Sequence, residues 1–433
     1  MRIHEDPRCR MPAPRLVVCG TLLALILAML SIGSRHVAAQ PVQPISSSAF
    51  VLPPPDAASR RITVPAGFAI RIFAQGLSGK ARFMAFGPDG LLYLTLMSDG
   101  KIVRLPDRNN DGLADGTEVV VTGLSLPHGL EWRNGWLYVA EGDKIERLRD
   151  SDGDGRLETR AVVTTNIPAP QGHTSRTLHF GPDGKLYVSV GSSCNACKES
   201  DPRRAAILRF NPDGSIPTDN PFVSNADTRK HPVWAEGLRN SVDFLWTPSG
   251  QLWANHNGSD GISDTLPPEE IVIAVPKGAH HGWPYCYTPG VGLNLPPNQR
   301  EEVRDTQVAL AAGFTCSMAV PAQLTDLAHS APLGMTRGGG SFPSGYRDDL
   351  FVAYHGSWNT TNTANYRDCK VQRIVIENGV LVRSTTFANG WRTSGQKCGT
   401  AWGRPVDVIF GPDGALYISD DLGGRVYRIV YAP

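Results

Sequence analysis

Four short segments of this 433-residue chain carry side chains that could do chemistry: Pro127-His128-Gly129, Gln171-Gly172-His173-Thr174-Ser175-Arg176, Trp234-Ala235-Glu236-Gly237-Leu238-Arg239-Asn240 and Trp402-Gly403-Arg404-Pro405. Two histidines and two arginines brought to one place would form an anion site with a base beside it. A guanidinium forks onto carboxylate oxygens, and an imidazole titrates near neutral pH. Each residue alone reads equally as a polar group that satisfies a turn. The case therefore depends on whether the fold gathers them.

A repeat supplies the fold. Phe-Gly-Pro-Asp-Gly-x-Leu-Tyr occurs at Phe86–Tyr93, Phe180–Tyr187 and Phe410–Tyr417. Each copy predicts strand, tight turn and second strand, because Pro presets φ, Asp bonds its own backbone and Gly supplies a positive φ. Looser copies stand at Trp132–Tyr138, Trp246–Trp253 and Tyr346–Val352. The turn glycines Gly90, Gly135, Gly184 and Gly250 lie 45, 49 and 66 residues apart, which suits four-stranded blades with one insertion. The expected fold is all-β, a six-bladed β-propeller of four-stranded blades closed by pairing Ala69–Phe73 with Val426–Val430. In such a ring, residues that precede each inner strand converge on one rim of the central channel, and all four segments sit there.

Only 19% of residues are charged and the formal net charge is +1. Without residues 1–39 the balance is 37 basic to 39 acidic, which leaves no electrostatic footprint for nucleic acid. The N-terminus places Arg2, Arg8, Arg10 and Arg15 before an apolar run from Leu16 to Ile32 and then Val37-Ala38-Ala39. This reads as a secretory signal over 1–39, with an uncleaved anchor as the alternative. A Pro/Ser-rich leader over 40–61 and the propeller over 62–433 follow. The implied location is periplasmic or secreted, without stable membrane insertion.

Export leaves six cysteines in an oxidising compartment, and three disulfides are expected. Proximity suggests Cys194–Cys197, Cys286–Cys316 and Cys369–Cys398, although six cysteines allow 15 pairings. Cys194-Asn195-Ala196-Cys197 also reads as a metal or redox pair. The long interruption Asp260–Met335 is expected to be a blade carrying a loop over one face.

Spacing gives one further signal. Asp107, Asn109, Asp111, Gly112, Asp115 and Glu118 fill positions 1, 3, 5, 6, 9 and 12 of a calcium loop. Asp150, Asp152, Asp154, Gly155 and Glu158 repeat the pattern with Ala161 at position 12. Both follow strands rather than helices, so an ordinary solvated Asp/Gly turn is the competing reading. His280-His281 invites a metal reading, but neighbours on a strand face opposite ways.

The chain resembles the pyrroloquinoline-quinone (PQQ)-dependent glucose/sorbosone dehydrogenases and aldose sugar dehydrogenases over roughly Val64 to Tyr431. The motifs are Gly172–Gly184, Ile207–Gly214 running into Ile216-Pro217 and Asn220-Pro221-Phe222, Gly237–Asn240, Gly282-Trp283-Pro284 after Pro267–Glu270, and Gly403-Arg404 leading to Asp407-Val408. The resemblance implies a sugar substrate, PQQ and calcium as cofactors, and a separate electron acceptor, cytochrome or quinone. It puts His173 on the general base and Arg239 and Asn240 beside the quinone. Arg404 falls on a carboxylate binder of the cofactor, and His128 near a position often held by an amide. His355 and Lys370 compete for the family's cofactor lysine. Backbone carbonyls at Asn257 and Gly258 fall on the calcium site beside the cofactor. Where soluble glucose dehydrogenases carry an acidic neighbour before the base and a second arginine after Arg404, this chain has Gly172 and Val406. The His-Gly-Ser-Trp-Asn run from His355 to Asn359 is closer to the sorbosone-dehydrogenase-like branch. A lactonase-like metal-dependent hydrolase and a catalytically silent binding propeller are the alternatives.

Overall fold

The computed structural model describes residues 52–433 except Asn294 and Trp358. The expected signal, the first part of the leader and the Trp of the His-Gly-Ser-Trp-Asn run lie outside the described residues.

Six antiparallel blade sheets follow one another along the chain, with a separate two-stranded ribbon, Cys286–Tyr287 against Val303–Arg304, in the fourth-blade insertion. Blade 1 comprises Ala81–Phe86, Leu92–Leu96, Lys101–Leu105 and Glu118–Val121; blade 2 Leu130–Arg133, Trp136–Ala140, Ile145–Arg149 and Thr159–Thr164; blade 3 Leu178–Phe180, Leu186–Val190, Ala206–Phe210 and Val233–Glu236. Blade 4 has Phe244–Trp246, Leu252–His256, Glu269–Ala274 and Leu324–Asp326, plus a fifth short strand, Gly292–Leu293. Blade 5 has Pro332–Arg337, Leu350–Tyr354, Lys370–Glu377 and Val380–Asn389. Blade 6 takes Pro405–Phe410, Leu416–Asp420 and Arg425–Tyr431 from the C-terminus and its outermost strand, Phe68–Gln75, from the N-terminal side. The closing register sets Ala69 against Val430 and Ile72 against Tyr427, as the repeat argument requires.

The repeated phrase has a physical job in this ring. The turn glycines Gly90, Gly135, Gly184, Gly250 and Gly414 all have φ between 73° and 81°. In each of the three strict copies the turn aspartate accepts a hydrogen bond from the tyrosine hydroxyl four residues on: Asp89 from Tyr93 (2.9 Å), Asp183 from Tyr187 (3.0 Å), Asp413 from Tyr417 (3.1 Å). An arginine of the third strand then closes on that aspartate: Arg104, Arg209 and Arg428 respectively. Second strands are buried along their length, as in Leu92–Leu96, Leu186–Val190 and Leu350–Tyr354, because each blade is covered by a neighbour on both faces. Phe342 marks the core between blades 5 and 6, fully buried against Phe68, Phe351, Phe387 and Phe410.

Before the first strand, Asp56 caps a short helix, Ala57–Arg61, and accepts the N–H of Ile72 (2.6 Å), while the Pro53 carbonyl accepts Arg71 Nε (2.7 Å). Regular strands begin at Phe68 rather than at Ile62, which precedes only an isolated bridge from Thr63 to Asn389. The three disulfides are Cys194–Cys197, Cys286–Cys316 and Cys369–Cys398. Among the described residues no helix is long and apolar enough to cross a membrane.

Candidate functional site

At the rim where inner strands begin and second strands end, a cavity of about 310 Å³ opens, at the small end of the usual ligand-pocket range. Its wall includes His173, Arg239, Asn240, Asn257, Gly258, His355 and Arg404, so seven of the residues singled out in the sequence come together. Antiparallel topology explains the gathering. Arg239, Asn240 and Arg404 precede the inner strands of blades 4 and 6, whereas Asn257 and His355 follow the second strands of blades 4 and 5.

His173 is anchored through one ring nitrogen. Its Nδ1 lies 2.9 Å from Ser192 Oγ and 3.2 Å from the Ser192 carbonyl. Ser192 Oγ spends its own proton on the Cys194 carbonyl (2.7 Å), so Nδ1 must be the donor and the lone pair sits on Nε2. Burial, reinforced by the charge of Arg239, lowers the imidazole pKa to about 4. The ring is therefore neutral at pH 7. Gly191 makes the approach feasible: a Cβ there would stand 2.5 Å from His173 Cβ and 2.9 Å from Asn240 Oδ1. That Asn240 oxygen is buried and has no partner among the described residues.

Three guanidiniums face the same space. Arg239 donates to Asn195 O and Oδ1, to Asn257 O and to Asp260 Oδ2. Arg82 pairs with Asp421 at 2.9 Å. Arg404 donates only to the carbonyls of His355 (2.6 Å) and Gly356 (3.1 Å) and forms no ion pair among the described residues. Burial lowers its pKa to about 10, which keeps it charged. Such a set suits a flat polycarboxylate.

The wall between blades 4 and 5 is acidic. Glu269 is buried and accepts the N–H groups of Gly258 (2.8 Å) and Ala331 (3.3 Å). Burial raises its pKa, offset in part by those two N–H groups and by the charges of His329 and Arg239. On the same wall stand Asp260, held by Arg239 and Asn359, and the peptide oxygens of Asn257 and Gly258, hard donors of the kind calcium takes.

Two expected binders do not line the cavity. His128 is fully buried one layer below, against Phe83, with Nε2 3.3 Å from Arg82 and Nδ1 3.3 Å from Thr177 Oγ1. It supports Arg82 from behind. Lys370 begins the third strand of blade 5 and sets its Nζ over the Tyr354 ring at 5.0 Å, so of the two competing candidates His355 is the one at the cavity. His355 Nε2 lies 2.9 Å from Asp421.

The first calcium-like loop is a self-satisfied turn. Asp107 accepts the N–H groups of Asp111 and Gly112, Asp111 that of Leu113, and Asp115 that of Arg108. Glu118, expected at the twelfth position, is instead held by Arg104 (2.7 Å) and Arg108 (2.8 Å), because strand pairing sets it beside Arg104. The second loop is the one whose carboxylates gather: Asp150, Asp152, Asp154 and Glu158 each bring an oxygen within 4.8 Å of the others.

The structure also accounts for both departures. Gly172 has φ +60° and its missing Cβ would sit 2.5 Å from the Ser193 carbonyl, so no acidic side chain fits. Val406 is fully buried among Leu130, Val242 and Leu333; the extra guanidinium comes from Arg82 in blade 1. Arg82 is the second residue of the first inner strand, Ala81–Phe86, and so escapes a rule that looks only before each strand. Asp260, His329 and Asn359 lie on irregular loops, where no repeat announces them.

Fold and site define a six-bladed propeller with a cationic, partly acidic cavity and a neutral histidine at one mouth of its channel. The TrAA12-like family matches residues 62–432, and the chain belongs to that family. An uncharacterized protein of Borreliella burgdorferi is 30% identical over 253 residues, 58% of this chain and 58% of that protein. A pyrroloquinoline quinone-dependent pyranose dehydrogenase of Coprinopsis cinerea is 25% identical over 294 residues, 59% of this chain and 39% of that protein. The matches thus span less than two thirds of either relative. The calcium structure of Trichoderma reesei Carbohydrate-Active Enzymes Family AA12 aligns with a TM-score of 0.70 at 21% identity, covering 87% of this chain and 98% of that one; at that identity the likeness speaks to the fold.

Proposed function

We propose that this protein is an exported PQQ- and calcium-dependent dehydrogenase of an aldose, sorbosone or similar sugar. The observation that carries the reading is one cavity holding a neutral histidine, whose Nε2 has no hydrogen-bond partner among the described residues, beside three guanidiniums and a buried carboxylate. When bound, PQQ supplies a two-electron acceptor for hydride from the sugar carbon. The chain's own part is positional and acid–base. Arg404, Arg82 and Arg239 hold the carboxylates and ring oxygens of the cofactor, with Asn240 as a further contact. The peptide oxygens of Asn257 and Gly258 would offer calcium its ligands from this chain. His173 Nε2 takes the hydroxyl proton of the sugar, while Ser192 holds the ring in the tautomer that leaves Nε2 unprotonated.

Three disulfides among the described residues support export, and the signal over 1–39 would direct it. Electrons would leave to a separate cytochrome or quinone, since Lys198 follows Cys197 where a haem-attachment motif needs histidine. The hydrolase alternative needs side chains free to hold an axial metal. Asp260 is engaged by Arg239 and Asn359, and Glu269 by two backbone N–H groups, which weakens it. The test is reconstitution of the purified protein with PQQ and calcium and an aldose screen with an artificial dye acceptor. Dye reduction that requires protein, PQQ and sugar together is expected; no reduction across the panel refutes the reading.

A further inference from the structure

Arg239 is held mainly by a residue that none of the motif arguments singled out. Its Nε donates to the carbonyl of Asn195 (2.9 Å) and its Nη2 to Asn195 Oδ1 (2.9 Å), so one residue grips two edges of the guanidinium. Asn195 is the second residue of the ring closed by the Cys194–Cys197 disulfide. We propose that Asn195 is the positioning residue that aims Arg239 into the cavity, and that it can do so only while this four-residue ring is closed. The proposal rests on the reading of the cavity as a site for an anionic cofactor.

The ring is hydrogen-bonded to two neighbouring segments, the Asp260 loop and the fourth-blade insertion. Asn195 Oδ1 also accepts the N–H of Asp260 (2.7 Å), and its Nδ2 donates to the Asp260 carbonyl (2.7 Å). That fixes the loop whose carboxylate forms the other partner of Arg239 at 3.0 Å. Trp283 Nε1 donates to the Asn195 carbonyl (3.2 Å) and ties in the fourth-blade insertion. At the start of the ring, the Cys194 carbonyl receives the Ser192 hydroxyl proton, which fixes the tautomer of His173. Glu199 clamps the approach to the ring by accepting from the backbone N–H and the hydroxyl of Ser193. Gly172 lies against the Ser193 carbonyl so closely that a Cβ has no room. One short loop therefore orients both the base and the guanidinium beside it.

The need for a covalent closure follows from exposure. Asn195 is solvent-exposed, and residues 191–205 contain no helix or strand. Hydrogen bonds made by an exposed residue on an irregular loop exchange with water, and ordering each such residue costs backbone entropy. The disulfide removes that freedom in the two residues it spans, so Asn195 is presented before any ligand arrives. Pre-organisation of this kind appears as affinity.

The test compares Asn195→Ala, which deletes the Oδ1 and Nδ2 contacts but keeps the carbonyl, with Cys194→Ser/Cys197→Ser, which opens the ring and keeps Asn195. Phe342→Ala, destabilising but remote from the cavity, is the control for a merely structural effect. Two measurements are made on each: the Kd for PQQ in the presence of calcium, and the position of Arg239 in cofactor-free crystals. Asn195→Ala should weaken PQQ roughly 10-fold, the worth of one charge-assisted hydrogen bond. The serine pair should weaken it at least as much, with Arg239 withdrawn from Asp260 in both crystals and the control unchanged. An unmoved Arg239 in the serine pair, or a displaced Arg239 with unaltered affinity, overturns the proposal. Failure of the wild-type protein to bind PQQ would sink the functional reading instead, and the Arg239 positions would still decide this one.

Discussion

Replacing Arg404 by Ala removes the cavity guanidinium that has no ion pair among the described residues. Two of its nitrogens donate to the carbonyls of His355 and Gly356, and Nη1 has no hydrogen bond among the described residues. With a pKa near 10 it remains cationic at neutral pH despite burial. Its backbone N–H bond to Asp420 Oδ1 (2.7 Å) survives the substitution, so the start of the sixth inner strand stays in place. A hydrogen bond to a charged partner contributes about 1.5–3 kcal/mol, and tenfold in an equilibrium constant is about 1.4 kcal/mol. Loss of one such contact should therefore raise the Kd for PQQ roughly 10- to 100-fold. Arg404→Lys, which keeps the charge but not the fork, should fall between. The assay is titration of the calcium-loaded apoprotein, followed by the absorbance of the quinone. A Kd within about 2-fold of wild type for Arg404→Ala, with an unchanged melting temperature, would refute the assignment of this guanidinium to the anionic cofactor.

Three further outcomes are expected. Phe342→Ala should cost about 3–5 kcal/mol in urea unfolding, the usual range for a buried ring that leaves a cavity; a loss under about 1 kcal/mol would mean that this cluster does not seal blades 5 and 6. Gly191→Ala should push His173 and Asn240 apart and depress cofactor affinity and turnover together while the protein stays folded; wild-type behaviour would show that the approach is not tight. His173 is held at about pKa 4, below its unfolded value near 6.5, so as pH falls the unfolded chain takes up the proton first and the fold loses stability between those values. His173→Asn should shrink the acid-side drop in melting temperature, and an unchanged profile would contradict a neutral, buried imidazole.

The ring was legible because one turn chemistry recurs: the Asp that closes the hairpin also receives a tyrosine and an arginine, so those side chains persist in register at Phe86–Tyr93, Phe180–Tyr187 and Phe410–Tyr417. Blade 5 was the faintest, because Ser344–Tyr346 is a 3-10 turn and the first two strands are joined by a longer loop. Residues that precede inner strands could be placed on the rim from topology alone, which is why His173, Arg239, Asn240 and Arg404 converge. The same rule sent His128 too high, since its side chain turns under Arg82 and stacks on Phe83. Ligand spacing alone could not see that Arg104 and Arg108 would claim Glu118. Nor could spacing tell that Asn195 and Asp260 would reach the site, since they do so only through long-range pairing of irregular loops.

The most direct measurement is the rate at which sugar reduces bound PQQ in a single turnover, compared between wild type and His173→Ala at matched cofactor occupancy. Loss of a positioned general base predicts a fall of roughly 10²–10⁴-fold with little change in the Kd for PQQ. Equal rates in the two proteins, or a loss explained wholly by weaker cofactor binding, would contradict the assignment of His173 Nε2 as the group that takes the sugar's proton.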